Sequence, residues 1–290
     1  MTNVAIRFWG VRGSIASPGP HTAAVGGNTS CIELTTASGE TIILDAGTGI
    51  RALGDDLVRR KVGAAHLLLS HLHWDHIQGL PFFVPAWLPS SRLEIVGARS
   101  TGTPELGLEA SLSLQMQPPH FPVRLSDMRS HLAFHEVEAG DVVTIGGATV
   151  RVARLHHPGG VTGYRIESGG RAIVYATDTE QRAGGVDPTL VALARDADVL
   201  IYDAMYTDDE YAGRSGAPKI GWGHSTWEAG CAVADAAGVD RLVLFHHDPA
   251  RSDAQVEAIE RLAAARRPGT VAAREGLEVS LGRPALPRAA

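Results

Sequence analysis

A chain of 290 residues with 26 Lys+Arg against 32 Asp+Glu carries a formal net charge of −6, which argues against broad, nonspecific binding of long nucleic acid and leaves only a local basic groove for such a partner. Its composition, 44% hydrophobic and 20% charged with 33 Gly, fits a folded enzyme rich in strands and turns, with a core large enough to hold ligands rigidly. Cys31 and Cys231 form no C-x-x-C pattern, which argues against a disulfide scaffold. No basic segment leads into a long apolar run, and no stretch nears the ~18 apolar residues of a membrane span, so a cytoplasmic protein with no membrane partner is expected.

Residues 5–9, 30–35 and 41–44 are short β-branched or apolar runs between Gly-containing turns, the pattern of a β-meander. Asp45-Ala46-Gly47-Thr48-Gly49 closes the third, and Ile50, Leu53, Leu57 and Val58 give residues 50–61 helical spacing. Residues 67–70 form the next predicted strand, a short helix runs on to Pro85, and 93–96 is a strand ended by Gly97. Residues 99–131 read as a helix (105–116) followed by the Pro-rich 117–122, which is either a loop near a site entrance or a surface turn.

The second half repeats the rhythm. Strands are predicted at 150–155, 163–167, 172–177, 199–202 and 242–245, and helices at 190–195, 227–237 and 254–264. Residues 283–290 read as a flexible tail after a single domain spanning 1–282. Two halves of similar order, strands before helices, suit two sheets packed face to face with helices outside.

The densest chemistry lies in Ser70-His71-Leu72-His73-Trp74-Asp75-His76, directly after Leu67-Leu68-Leu69. Imidazole nitrogen and carboxylate oxygen are ordinary ligands of zinc and similar divalent ions. His71 and His73 can aim at one ion while Asp75 and His76 turn toward another. Packing is a poor explanation for the cluster, because burying so much polarity without partners is costly.

This H-x-H-x-D-H pattern after an apolar strand resembles the metallo-β-lactamase superfamily. The following Gly79-Leu80-Pro81 is similar to its phosphodiesterase branch, which includes ribonuclease Z and the cyclic phosphodiesterase of phosphonate breakdown. The resemblance runs from Phe8-Trp9-Gly10 to about His247. It implies a four-layer αββα sandwich of two mixed sheets, an α/β fold, with the metal site along one sheet edge.

The resemblance also implies the remaining ligands. His157, immediately before Pro158-Gly159-Gly160, takes the ligand position, and His156 beside it faces elsewhere because side chains alternate at a strand end. Asp178 in Thr177-Asp178-Thr179 would bridge the two ions, a carboxylate having two oxygens to share. The alternative for Asp178 is a turn-forming Asp. His246, straight after 242–245, would be the last ligand, with His247 as the alternate. One ion would then sit on His71, His73 and His157, the other on Asp75, His76 and His246. Zinc is the expected metal, with manganese or iron as alternatives. A hydroxide between the ions would be the nucleophile.

Four further positions match the family. Asp45 would support a metal-bound imidazole without touching metal, or else cap the helix that follows. His224, in Gly223-His224-Ser225-Thr226, would contact the scissile phosphate and protonate the leaving oxygen, unless it belongs only to a capping turn. Asp75 and His224 are therefore the candidate catalytic residues. Arg12 and Asn28, in Trp9-Gly10-Val11-Arg12-Gly13-Ser14 and Gly26-Gly27-Asn28-Thr29-Ser30, are candidates for binding substrate phosphate, unless those Gly-rich turns only shape the loop.

The expected activity is phosphodiester hydrolysis on a cyclic nucleotide, a small cyclic phosphate or a short nucleic acid, with a homodimer compatible. A hydrolase of a lactone, thioester or β-lactam is the alternative. Full ribonuclease Z activity is not expected, because the long arm that such bacterial enzymes carry between third His and bridging Asp is replaced, between His157 and Asp178, by a hairpin.

Overall fold

Burial alternates residue by residue along β1 (Val4–Gly10), as one face of the strand packs inward and the other is half-covered. β2 (Cys31–Thr35) and β3 (Thr41–Leu44) continue antiparallel from it. From β3 the chain crosses over to β4 (Ala64–Leu69), β5 (Arg92–Gly97) and β6 (His131–Glu136), all parallel. A second sheet begins as an antiparallel meander of β7 (Val142–Ile145), β8 (Ala148–Leu155), β9 (Val161–Ser168) and β10 (Arg171–Ala176). β11 (Val199–Asp203), β12 (Arg241–Phe245) and the short β13 (Val271–Ala272) extend it in parallel. β14 (Glu278–Leu281) returns to pair with β1, so the first sheet runs β14-β1-β2-β3-β4-β5-β6 and the second β13-β12-β11-β10-β9-β8-β7. This computed structural model describes residues 3–99, 105–182 and 185–282; the predicted tail at 283–290 and part of the 99–131 segment lie outside the described residues.

Ile6, Phe8, Leu34 and Leu44 of the first sheet meet Ile166, Tyr175, Ile201 and Phe245 of the second in a shared, fully buried core. Each large apolar side chain removed from water there contributes roughly 1.5–3 kcal/mol. Helix α1 (Ile50–Arg59) turns Ile50, Leu53 and Leu57 onto the outer face of the first sheet. On this side lie also the single-turn α2 (Trp74–Ile77) and the short α3 (Leu108–Leu114). α4 (Pro188–Ala194), α6 (Trp227–Ala237) and α7 (Asp253–Arg266) cover the second sheet, and α5 (Asp208–Tyr211) is a single turn after β11. The result is the expected four-layer αββα sandwich. Among the described residues, no helix is long and apolar enough to cross a membrane.

The structure departs from the sequence reading in places. The helix after the His cluster ends at Ile77 and gives way to 3-10 turns at Leu80–Phe82 and Val84–Trp87, because Pro81 and Pro85 cannot continue an α-helical ladder. Gly79 allows the chain to pass close to its neighbour: a Cβ there would lie 2.1 Å from the carbonyl oxygen of Gly47. The segment read as loop or helix up to 131 leads straight into β6, and β7 follows, neither of them predicted; both are half-exposed strands with little apolar alternation.

Candidate metal centre

β3 and β4 are parallel, as are β10, β11 and β12, and β8 runs in the same sense as β10. The polar residues that close these strands therefore collect at one edge of the sandwich, the end where open α/β sheets place their ligands. β4 leads to His71, His73, Asp75 and His76; β8 leads to His157, β10 to Asp178 and β12 to His246. α2 places Asp75 and His76 in one turn, with His73 at its N-cap in an extended conformation.

Among the described residues three overlapping donor groups result, each within 4.8 Å: His71, His73 and His157; Asp75, His76, Asp178 and His246; and Asp178, Asp203, His224 and His246, which shares two members with the second. In the first, His73 Nδ1 and His157 Nε2 are 3.2 Å apart. In the second, His246 Nε2 is 3.3 Å from His76 Nε2 and 3.2 Å from Asp75 Oδ2. Asp178 faces both groups. Its Oδ1 is 3.2 Å from Nε2 of His76 and of His246, and its Oδ2 is 3.7 Å from His71 Nε2 and 3.8 Å from His157 Nε2. Asp178 and His246 have φ of 50° and 60°, so the chain turns sharply where each side chain enters the site, a conformation uncommon for residues with a Cβ.

The donors are held from behind. Asp45 Oδ2 accepts from His76 Nδ1 at 2.7 Å, which leaves Nε2 to face the cluster. The same carboxylate accepts from Ser70 N, Ser70 Oγ and Tyr175 OH. α1 has Gly49 at its N-cap without a side-chain cap, so Asp45 supports the histidine and does not cap the helix. His157 Nδ1 donates to the Gly223 carbonyl at 2.8 Å. Glu180, two residues past Asp178, accepts from the Gly221 and Gly223 amides and from Tyr211 OH, tying down the loop that carries His224.

Burial keeps His71, His73 and His157 below the ordinary imidazole range, in the neutral form that ligates a cation. His76 goes the other way. Burial alone would lower it, but Asp178, Asp75 and Asp45 surround the ring and raise it well above the usual value. Asp178 is likewise held far below the carboxylate range: its burial is outweighed by His246 and His76. Nε2 of His71 is sealed from solvent with no hydrogen-bond partner among the described residues. Acceptor atoms crowded this closely, with a buried imidazole nitrogen left over, fit divalent cations.

His224 lies beside this centre, its ring stacked on that of His246 at 5.0 Å. Its Nδ1 donates to Asp203 Oδ2 at 2.8 Å. Burial would lower its pKa, but Asp203 and then Asp178 more than compensate, and it is pushed up to about 9. Asp203, fully buried, is the last residue of β11, one residue beyond the predicted strand 199–202, and is no candidate on the sequence reading. Its signal was the one used for Asp178, a carboxylate closing an apolar strand. Thr226 caps α6 by accepting from the Ala229 amide, and Ser225 bonds Tyr202.

Arg12 and Asn28, the candidates for binding substrate phosphate, both hold partners within the protein. Arg12 is fully buried; its guanidinium donates to the carbonyls of Gly26, Asp248 and Arg251 and lies 3.8 Å from Asp253. Asn28 gives its amide hydrogens, main chain and side chain, to Glu275. These turns build the wall of the site: Ser14 N donates to Asp75 Oδ2, and a Cβ on Gly13 would lie 2.4 Å from the His246 ring. His156 is exposed, and its carbonyl receives the Glu180 amide. His247 donates to the Ala273 carbonyl and is held down to about 3, chiefly by burial, so of the two adjacent imidazoles it is His246 that joins the cluster.

The fold and the clustered donors define a metallohydrolase sandwich. A family model described as a beta-lactamase superfamily domain matches residues 40–247, and the chain belongs to that superfamily. A ribonuclease Z of Mycobacterium sp. (strain KMS) is 31% identical over 245 residues, covering 80% of this chain and 81% of its own. The metallo-beta-lactamase fold protein YhfI from Bacillus subtilis superposes with a TM-score of 0.70 at 18% identity, over 96% of this chain and 100% of its own. Human tRNase Z, short form, superposes with a TM-score of 0.65 at 20% identity, over 97% and 100%.

Proposed function

We propose that the protein is a dinuclear metal-dependent phosphodiesterase of the cytoplasm that cleaves a cyclic nucleotide, a small cyclic phosphate or a short nucleic acid. The observation that carries this reading is Asp178, whose two carboxylate oxygens face two separate groups of donors. His71, His73 and His157 would hold one ion and Asp75, His76 and His246 the other, with Asp178 shared. Histidine and carboxylate donors suit zinc, with manganese or iron as alternatives. Two bound cations would stabilise charge growing on the phosphoryl oxygens and draw a nucleophile from water at neutral pH.

The protein's own groups do the rest. Asp45 and the Gly223 carbonyl fix the tautomers of His76 and His157. His224, kept protonated by Asp203, stands beside the donors and gives its proton to the departing ester oxygen. The similarity to a ribonuclease Z supports phosphodiesters over other esters, and the plain β9–β10 hairpin between His157 and Asp178 supports a small substrate.

Chelation followed by assay on bis-p-nitrophenyl phosphate tests the reading. Activity should vanish with the metal and return with zinc, manganese or iron. Full activity in metal-free protein, or no phosphodiester cleavage with any of the three restored, would refute it. His224→Ala should cut phosphodiester cleavage far more than hydrolysis of a lactone, and the reverse ranking would favour a carbonyl substrate.

A further inference from the structure

Along β8, Val150 and Val152 point into the core between the sheets, and the two-residue period puts Arg154 on the same face, one step nearer the metal donors. There the core gives way to a cavity of about 220 Å³, whose walls include His71, His73, Arg99, Arg154 and Thr162, and no described Asp or Glu. Thr162 pairs with Arg154 across β8 and β9, and its amide donates to the Ser70 carbonyl, which joins this wall to the chain just before His71. Gly160 makes room for the guanidinium: a Cβ there would lie 1.8 Å from Arg154 Nη2. The charged head therefore rests on the loop that carries His157. Arg99 is braced by Glu136, whereas Arg154 is exposed and has no hydrogen bond or ion pair among the described residues.

We propose that this cavity binds a terminal phosphate that the substrate carries besides its scissile phosphodiester, with Arg154 as the residue that grips it. The proposal rests on the phosphodiesterase reading and narrows it, to diesters that bear a phosphate monoester as well. Two guanidiniums and no carboxylate mark a place for an anion in a chain whose net charge is −6. The paired positive charges suit a phosphate monoester, close to dianionic at neutral pH, better than a singly charged carboxylate. The scissile group is not that anion. His71 and His73 line the cavity, but no member of the Asp75, His76, Asp178 and His246 group does, nor does His224. A diester attacked between the two groups, with His224 at its leaving oxygen, lies outside the cavity, and a group attached to it reaches in past His71 and His73. The volume, below the ~300–1,000 Å³ of pockets that enclose whole ligands, suits one group of a larger molecule.

The experiment uses metal-loaded protein and p-nitrophenyl alkyl phosphates with and without a phosphate at the far end of a two-, three- or four-carbon chain. At the best-fitting length, wild type should favour the phosphate-bearing diester in kcat/KM by roughly tenfold or more, as a charge-assisted contact provides. Arg154→Gln should bring that ratio close to one, and Arg154→Lys should keep part of it, since an ammonium retains the charge and loses the fork. A ratio near one in wild type at every length overturns the proposal. So does a preference that survives Arg154→Gln, including an equal loss of rate on both kinds of diester, which would put Arg154 at the scissile phosphate. Calorimetry gives a readout without turnover. The bisphosphate of the same alkyl chain should bind metal-loaded wild type roughly tenfold more tightly than the monophosphate, and Arg154→Gln should erase most of the difference. If no diester is cleaved while that binding pattern holds, the phosphodiesterase reading fails and the cavity assignment stands; if diesters are cleaved and the second phosphate gains nothing, only the cavity assignment fails.

Discussion

Asp203 and His224, 21 residues apart, meet across 2.8 Å at the margin of the donor cluster, the carboxylate accepting from Nδ1. The bond holds the imidazole in one tautomer and steadies its positive charge. Asp203→Asn should therefore lower kcat by roughly 10–100-fold with little change in KM, the size of effect found when a group that orients a functional histidine is removed. Steady-state kinetics at saturating metal checks this. A wild-type kcat would show that the pair has no part in the reaction.

Asp45 offers the clearest test of support from behind the donors, since it bonds His76, Ser70 and Tyr175 at once and makes no approach to the mouth of the site. Asp45→Ala should weaken metal binding by roughly 10–100-fold, read by competition with a chromophoric chelator. In wild type, metal at a hundred times its dissociation constant should add about 2.7 kcal/mol of stability, some 5–10 °C in melting temperature, and that gain should shrink in the variant at the same metal concentration.

Arg12 is predicted to act on stability. Replacing it by Ala strips the buried carbonyls of Gly26 and Arg251 of their donor, at about 1–3 kcal/mol for each group left unsatisfied, while the Asp248 carbonyl keeps the Arg251 amide. A loss of about 3 kcal/mol or more, followed by urea unfolding, is the expected outcome. Arg12→Lys should restore only part of it, because an ammonium cannot reproduce the guanidinium fork.

Glu228 gives a pH signature away from the metal donors. Burial, with Asp208 adding to it and Arg266 only partly offsetting it, pushes its carboxyl up to about 7. The unfolded chain releases this proton near the ordinary value and the folded chain only near 7, so stability drops as pH rises between the two and then levels off. Glu228→Gln should remove that slope. Its melting temperature should rise relative to wild type more at pH 8 than at pH 5, and an equal difference at both would contradict the shift.

What could be read from the sequence rested on the family resemblance and on one local signal, a His or Asp immediately after an apolar strand. That signal marked His71, Asp178 and His246, because the geometry of a strand end survives in any fold that buries the strand, whereas after β8 it marks His156 first and the choice of His157 came from the family resemblance. The signal applied equally to Asp203, whose meaning depends on a histidine 21 residues later and so becomes visible only in three dimensions. Arg12 shows the opposite limit. A guanidinium suits phosphate and carbonyl alike, and the choice was made by Asp248 and Arg251, 236 and 239 residues further along. Strands β6 and β7 escaped notice because half-exposed edge positions accept polar side chains and blur the alternation that marks a strand.

The donors are drawn from both sheets: four follow β4, and His157, Asp178 and His246 follow strands of the opposing layer. Neither half of the polypeptide alone owns a full set of ligands, so captured cations would rivet one leaf of the sandwich to the other. Cutting the backbone between β6 and β7 should yield two fragments that bind metal feebly apart and tightly once mixed, with the ions reporting their reassociation.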